Sequence, residues 1–186
     1  KDSIAYYSVR RSHSILTHVP ADAYYHDAVL WAVEKIVTGG TTATTFSPNV
    51  ACTRAQAVTF LWRAAGSPIV NYAMNFTDVP ADAYYAEAVR WAVSQGITSG
   101  ASATTFNPNG VCTRAQIVTF LWRSQKSPAA NSVNSFIDVA ADAYYANAVL
   151  WAAENGITGG TTATTFSPNS DCTRAQIVTF LWRCMK

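Results

Sequence analysis

Apolar residues recur at helical spacing in a twelve-residue stretch that occurs three times, as CTRAQAVTFLWR from Cys52 and as CTRAQIVTFLWR from Cys112 and from Cys172. In the second copy Ile117, Val118, Leu121 and Trp122 form one broad stripe, which predicts a core-facing helix of about three turns. Thr53, Thr113 and Thr173 each stand three residues before Gln56, Gln116 and Gln176, the pattern of a reciprocal capping box. Upstream of each copy a second stripe runs through Tyr25, Ala28, Val29 and Ala32 and their equivalents, with Trp31, Trp91 and Trp151 beside it. Asp22, Asp82 and Asp142 are the predicted N-caps of these shorter helices. Arg90, where the other copies have Leu30 and Leu150, marks that position as the solvent side. Gly96 and Gly156 are placed to end the helix in the left-handed conformation. The first copy has Ile36 there, which predicts that its helix runs on or ends differently.

Tryptophans at 31, 91 and 151 and phenylalanines at 46, 106 and 166 are both 60 residues apart, so the chain is a threefold repeat. Between the two helices of a unit lies a Thr/Gly-rich loop, TGGTTATTFSPN in its first form, with Phe46 expected to plug the core and room for a short extended pair around the threonines. Linkers at Gly66-Ser67-Pro68 and Ser127-Pro128 separate the units. The expected architecture is all-α: a tail or linker at 1–14, then helix-loop-helix repeats at 15–68, 75–128 and 135–186. A unit of about 55 residues is marginal alone, so the three are expected to pack around a pseudo-threefold axis with equivalent grooves between neighbours.

Composition narrows the function. Of 186 residues only 13% are charged and the formal net charge is +2, with no basic stripe, which argues against nucleic acid. No apolar run approaches the ~20 residues of a membrane span. A surface rich in Thr, Ser, Asn and aromatics suits neutral, hydroxyl-rich ligands. Three of the four cysteines, Cys52, Cys112 and Cys172, share one repeat position before the cap, where a small apolar side chain serves as a hydrophobic staple. Cys172 and Cys184 would lie about 18 Å apart along one helix, too far to pair. Free, buried thiols are expected, and no ligand spacing favours a metal, since His13, His18 and His26 have no carboxylate or cysteine partner. No cofactor is called for. The chain opens on Lys1 with no visible signal peptide, which suggests a mature fragment or excised part. The last FLWR lacks a following Ser-Pro linker, which suggests that Lys186 lies near a natural C-terminus and that other domains lie upstream.

Arg54, Arg114 and Arg174 sit in the first turn of the longer helices, the end where the macrodipole disfavours a cation. Two readings stand: a salt bridge to a carboxylate of the neighbouring repeat, or an anion seat made by guanidinium and helix N–H groups together. Trp31, Trp91 and Trp151 are either sugar-stacking walls or core, as are Trp62, Trp122 and Trp182, and Tyr24, Tyr84 and Tyr144 offer a ring with a hydroxyl. No paired carboxylates, activated nucleophile or metal set argue for an enzyme.

Ordered motifs in all three units resemble the S-layer homology repeats of bacterial cell-surface proteins: Phe76-Thr77-Asp78-Val79 and Phe136-Ile137-Asp138-Val139, Gly96-Ile97-Thr98 and Gly156-Ile157-Thr158, Phe-x-Pro, and Thr-Arg-Ala-Gln. The resemblance covers residues 15–186. It implies a spindle-like pseudo-trimer with a central three-helix bundle, outward prongs and ligand grooves between them. It also implies a secreted, cell-surface module that anchors a surface protein or exoenzyme to secondary cell-wall polysaccharide, often bearing a pyruvate ketal on N-acetylmannosamine. A protein-interaction or lattice-forming module is the alternative. Carried onto this chain, the ligand residues would be Arg54, Arg114 and Arg174, with Asp78 and Asp138 as ligand contacts or turn caps. Repeat one departs, with His18 for the aspartate and Leu16 for the phenylalanine. Ser99 replaces Gly39 and Gly159, an expected site of close backbone approach, and Gln replaces the family's frequent Glu, removing a negative charge beside each arginine.

Overall fold

The computed structural model describes residues 19–186; residues 1–14, Leu16 and His18 lie outside them. Six helices and no strands occur among the described residues: α1 His26–Glu34, α2 Arg54–Ala64, α3 Ala86–Ser94, α4 Arg114–Ser124, α5 Ala146–Glu154 and α6 Arg174–Met185.

All three capping boxes form. Thr53, Thr113 and Thr173 accept from the backbone N–H of Gln56, Gln116 and Gln176, whose side chains accept from the threonine N–H in return. The shorter helices start differently from the expectation. Their N-cap residues are Tyr25, Tyr85 and Tyr145, without side-chain caps, while Asp22, Asp82 and Asp142 lie three residues earlier. A preceding turn does the cap's work: Ala23 N–H donates to Pro20 C=O at 3.1 Å and His26 N–H to Ala23 C=O at 2.9 Å. With the chain already curled, the first helical N–H has its acceptor.

Ile36 also overturns its expectation. It adopts φ 59°, close to Gly96 at 69° and Gly156 at 66°, and α1 ends where its equivalents do. Val37 N–H donates to Ala32 C=O at 2.8 Å, and both side chains are fully buried. That bond and the burial of Val37 outweigh the left-handed cost of a β-branched residue.

Each short helix packs mainly on the long helix of the preceding repeat: α3 on α2, α5 on α4, and α1 on α6, which closes the ring. The long helices α2, α4 and α6 also touch one another, giving a central bundle. Packing units therefore straddle the covalent repeats. At the axis the backbone of the three cysteines closes a cycle. Cys52 N–H donates to Cys172 C=O at 2.8 Å, Cys112 N–H to Cys52 C=O at 2.9 Å, and Cys172 N–H to Cys112 C=O at 2.9 Å. The thiols are free and these three are buried. Burial pushes Cys52 and Cys112 up to about 12. Phe46, Phe106 and Phe166 are buried plugs. The threonine loop forms a tight turn rather than an extended pair, with Thr41 N–H on Thr45 C=O at 2.7 Å.

Ile36→Gly should raise stability by about 0.5–1 kcal/mol in urea unfolding, because relief of left-handed strain exceeds the added unfolded-state entropy; a loss of stability would refute the strain. In the native state at pH 8 a thiol reagent should label Cys184 first and leave the other three unreacted until denaturant is added, since the buried thiols hold almost no thiolate. Rapid labelling of all four would refute the sealed hub.

Candidate functional site

The long helices aim their N-termini at the ring, and this positions the arginines. Their first N–H groups are already used by loop carbonyls of the next repeat. Arg54 N–H donates to Gly110 C=O at 2.8 Å and Ala55 N–H to Pro108 C=O at 3.0 Å, with the same pattern at Arg114 (Ser170, Pro168) and Arg174 (Val50, Pro48). The helix N–H half of the anion seat is therefore unavailable. The salt-bridge reading fails as well, because no carboxylate pairs with these three arginines among the described residues.

Each guanidinium instead reaches into the neighbouring repeat. Nε of Arg54, Arg114 and Arg174 donates to the carbonyl of Phe106, Phe166 and Phe46 at 2.8, 2.9 and 2.9 Å. Each cation also lies over two phenylalanine rings; Arg54 sits 4.9 Å from the Phe106 centroid and 5.6 Å from Phe120. The side chains are 6%, 3% and 2% exposed, so these are buried cations. Burial lowers their pKa, with neighbouring cysteine and tyrosine opposing it, yet an arginine stays protonated. One donor of two of them is left over: Nη2 of Arg54 and Nη2 of Arg114 are buried and have no partner. In the third, Nη2 reaches Thr38 Oγ1 at 3.5 Å.

Arg54 opens onto a groove of about 390 Å³ assembled from all three repeats. Thr98, Ser99, Gly100, Asn107 and Gln116 come from repeat two and Tyr144 from repeat three. Tyr144 is exposed, with its ring edge-on to Tyr145 at 5.0 Å. Its hydroxyl is held protonated, chiefly by partial burial. Arg123 also lines the groove and donates to Ile97 C=O at 3.2 Å. Sequence reasoning missed it, although arginine closes every FLWR copy.

Asp78 and Asp138 are turn caps. Asp78 accepts from Phe106 N–H at 2.8 Å and Asn107 N–H at 2.7 Å, and Asp138 from Phe166 N–H at 2.8 Å and Ser167 N–H at 2.7 Å. Burial opposes their ionisation, but these backbone bonds, helped by Arg54 and Arg114, outweigh it and hold both carboxyls below the ordinary value. Their oxygens thus fix the carbonyls that the arginines grip. The tryptophans do not form a wall. Trp91 and Trp151 are buried, and Trp31 is half-buried against the core. Trp62 and Trp122 spend their indole N–H on Pro68 and Pro128 carbonyls at 2.9 and 2.8 Å.

Close backbone approach lies one residue beyond Ser99 and Gly159. A Cβ at Gly159 would meet open space, so Ser99 fits at its position. Gly100 and Gly160, at φ 98° and 82°, are the constrained pair, where a Cβ would fall 2.6 Å from the Phe76 ring and 2.7 Å from the Phe136 ring.

Three helical repeats thus close in a ring, with a polar, cationic groove at Arg54 where they meet. The S-layer homology domain family matches at residues 16–58, 75–118 and 135–178, and the chain belongs to that family. It is similar to the Surface-layer 125 kDa protein of Lysinibacillus sphaericus, at 38% identity over 98 residues, or 53% of this chain and 8% of that protein. A Cell surface protein of Thermoanaerobacter kivui matches at 30% over 59% of this chain and 15% of its own length. The Amylopullulanase of Thermoanaerobacterium thermosulfurigenes matches at 25% over 87% of this chain and 9% of its own length. The chain thus spans less than a sixth of each of these relatives. Among the described residues no helix is long and apolar enough to cross a membrane, and no cluster of three metal-ligating side chains occurs.

Asp138→Asn should cost about 1–2 kcal/mol at pH 7, the worth of two charge-assisted bonds discounted for partial exposure. The native carboxyl is depressed, so its contribution is complete above the unfolded value near ~4 and is lost as pH falls through the lower native value. Urea midpoints of wild type and variant should therefore converge in acid. A gap that persists unchanged at pH 2 would show that the charge is not what holds the turn.

Proposed function

We propose that the chain is a cell-wall anchoring module that holds a larger surface protein or exoenzyme to secondary cell-wall polysaccharide. The polymer carries a pyruvate ketal, and the ketal carboxylate is received at the arginine floor of the groove. The observation that carries this reading is the unpartnered, buried Nη2 of Arg54 and of Arg114. A buried donor without a partner costs about 1–3 kcal/mol, and a carboxylate oxygen removes that cost by a charge-assisted bond. Around it, Thr98, Ser99, Asn107, Gln116 and Tyr144 offer the short polar groups that sugar hydroxyls need. Several weak sites on one monomeric pseudo-trimer gain avidity on a repeating polymer. The chain itself contributes binding rather than catalysis.

Because the arginines also clamp neighbouring repeats, replacing them would disturb the fold, so the test is made on the ligand. Calorimetry of the intact chain with purified pyruvylated wall polysaccharide should show binding that weakens at least tenfold when the ketal is removed by mild acid. Equal affinity for both polymers would overturn the carboxylate reading. Binding to neither would transfer the grooves to a protein partner.

A further inference from the structure

The repeat pattern places an equivalent of the Arg54 groove at Arg114 and at Arg174, and the three positions differ where they open. The backbone pairing identifies the matching rim positions: Val111 pairs with Thr53 beside Arg54, Asp171 with Thr113 beside Arg114, and Ala51 with Thr173 beside Arg174. Val111 lines the Arg54 groove. Its counterpart at Arg114 is thus an exposed carboxylate.

The mouths differ too. In repeats one and three a hydroxyl bridge spans the loop, Thr41 to Ser47 and Thr161 to Ser167, each at 2.7 Å. Repeat two has Ala101 and Asn107 at those positions, and both face the groove. Gly110 makes room for that asparagine, since a Cβ there would fall 2.4 Å from Asn107 Nδ2.

Resting on the anchoring reading above, we infer that the grooves are graded and that Asp171 is a specificity-determining residue. The Arg54 groove is the primary seat for the anionic sugar. The bridged mouth weakens the Arg114 and Arg174 sites alike, and Asp171 further turns the Arg114 site away from anions and toward uncharged sugars of the same polymer. A like charge across a wet groove is worth roughly a fivefold change in affinity, and salt screens it.

The test is an NMR titration of the full chain with a pyruvylated N-acetylmannosamine glycoside, in which the amides of Gly100, Gly160 and Gly40 report the three grooves separately. Gly100 should shift at the lowest concentration. Val111→Asp should weaken that site about fivefold for the pyruvylated sugar, a loss that shrinks as salt is raised, without altering the melting temperature, because repeat three already tolerates aspartate there. Asp171→Val should bring Gly160 to an affinity close to that of Gly40, whose loop shares the bridged mouth. Three amides titrating together in wild type, or a Val111→Asp variant that binds as wild type, would overturn the grading and leave the anchoring reading intact. No shift at any groove would overturn both.

Discussion

The cycle of three backbone hydrogen bonds at Cys52, Cys112 and Cys172 is the constraint on which the rest of the structure depends. Three helix starts meet at one axis, and each brings N–H groups with no partner in its own helix. A capping box settles two of them locally. The cysteine N–H and the first two helical N–H groups find acceptors only in other repeats. No repeat can satisfy its own helix start, so the ring closes or the donors stay unpaired. This also accounts for a small side chain at the hub, where three copies of one residue are fully buried around the axis.

The arginines follow from the same geometry. A cation in a first helical turn is unfavourable when the N–H groups there are bare. Here those groups are bonded to loop carbonyls, and the guanidinium is directed to a phenylalanine carbonyl and two ring faces. Asp78 and Asp138 prepare that carbonyl by fixing the turn that carries it. The clamp leaves a buried cation with no carboxylate partner, which is a costly arrangement in a protein interior. Nε of each arginine holds two repeats together, and in Arg54 and Arg114 Nη2 is left buried without a partner.

What could be read from the sequence was local or periodic. Capping boxes involve residues three apart, the phenylalanine plugs repeat with the fold, and buried thiols follow from their shared position before the cap. What could not be read was decided by contacts between repeats. Nothing near Arg54 in sequence announces Phe106, 52 residues on, as its partner. For Trp91 and Trp151 the sugar wall and the core both stood open as readings until helix pairing across the repeat boundary covered them. Ile36 was misjudged because the cost of its backbone was visible and the burial of Val37 that offsets it was not. Arg123 was legible in principle, since a charged residue repeated at the end of three apolar stripes must face out of the bundle. Its place in the groove depends on which neighbour lies opposite.

Divergence among near-identical repeats carries information of its own. The helices that build the hub are almost unchanged along the chain, with Ala57 against Ile117 and Ile177 within the buried stripe. Around the groove the copies differ in charge and hydrogen-bonding capacity: Gly, Ser, Gly at 39, 99 and 159; Thr, Ala, Thr at 41, 101 and 161; Ser, Asn, Ser at 47, 107 and 167; Ala, Val, Asp at 51, 111 and 171. A closed ring demands equivalence only where its members meet, because each interface must accept the same partner geometry. Loop mouths face solvent and have no such obligation. The same threefold closure that fixes the hub therefore leaves the loop mouths of the three repeats free to acquire different chemistry.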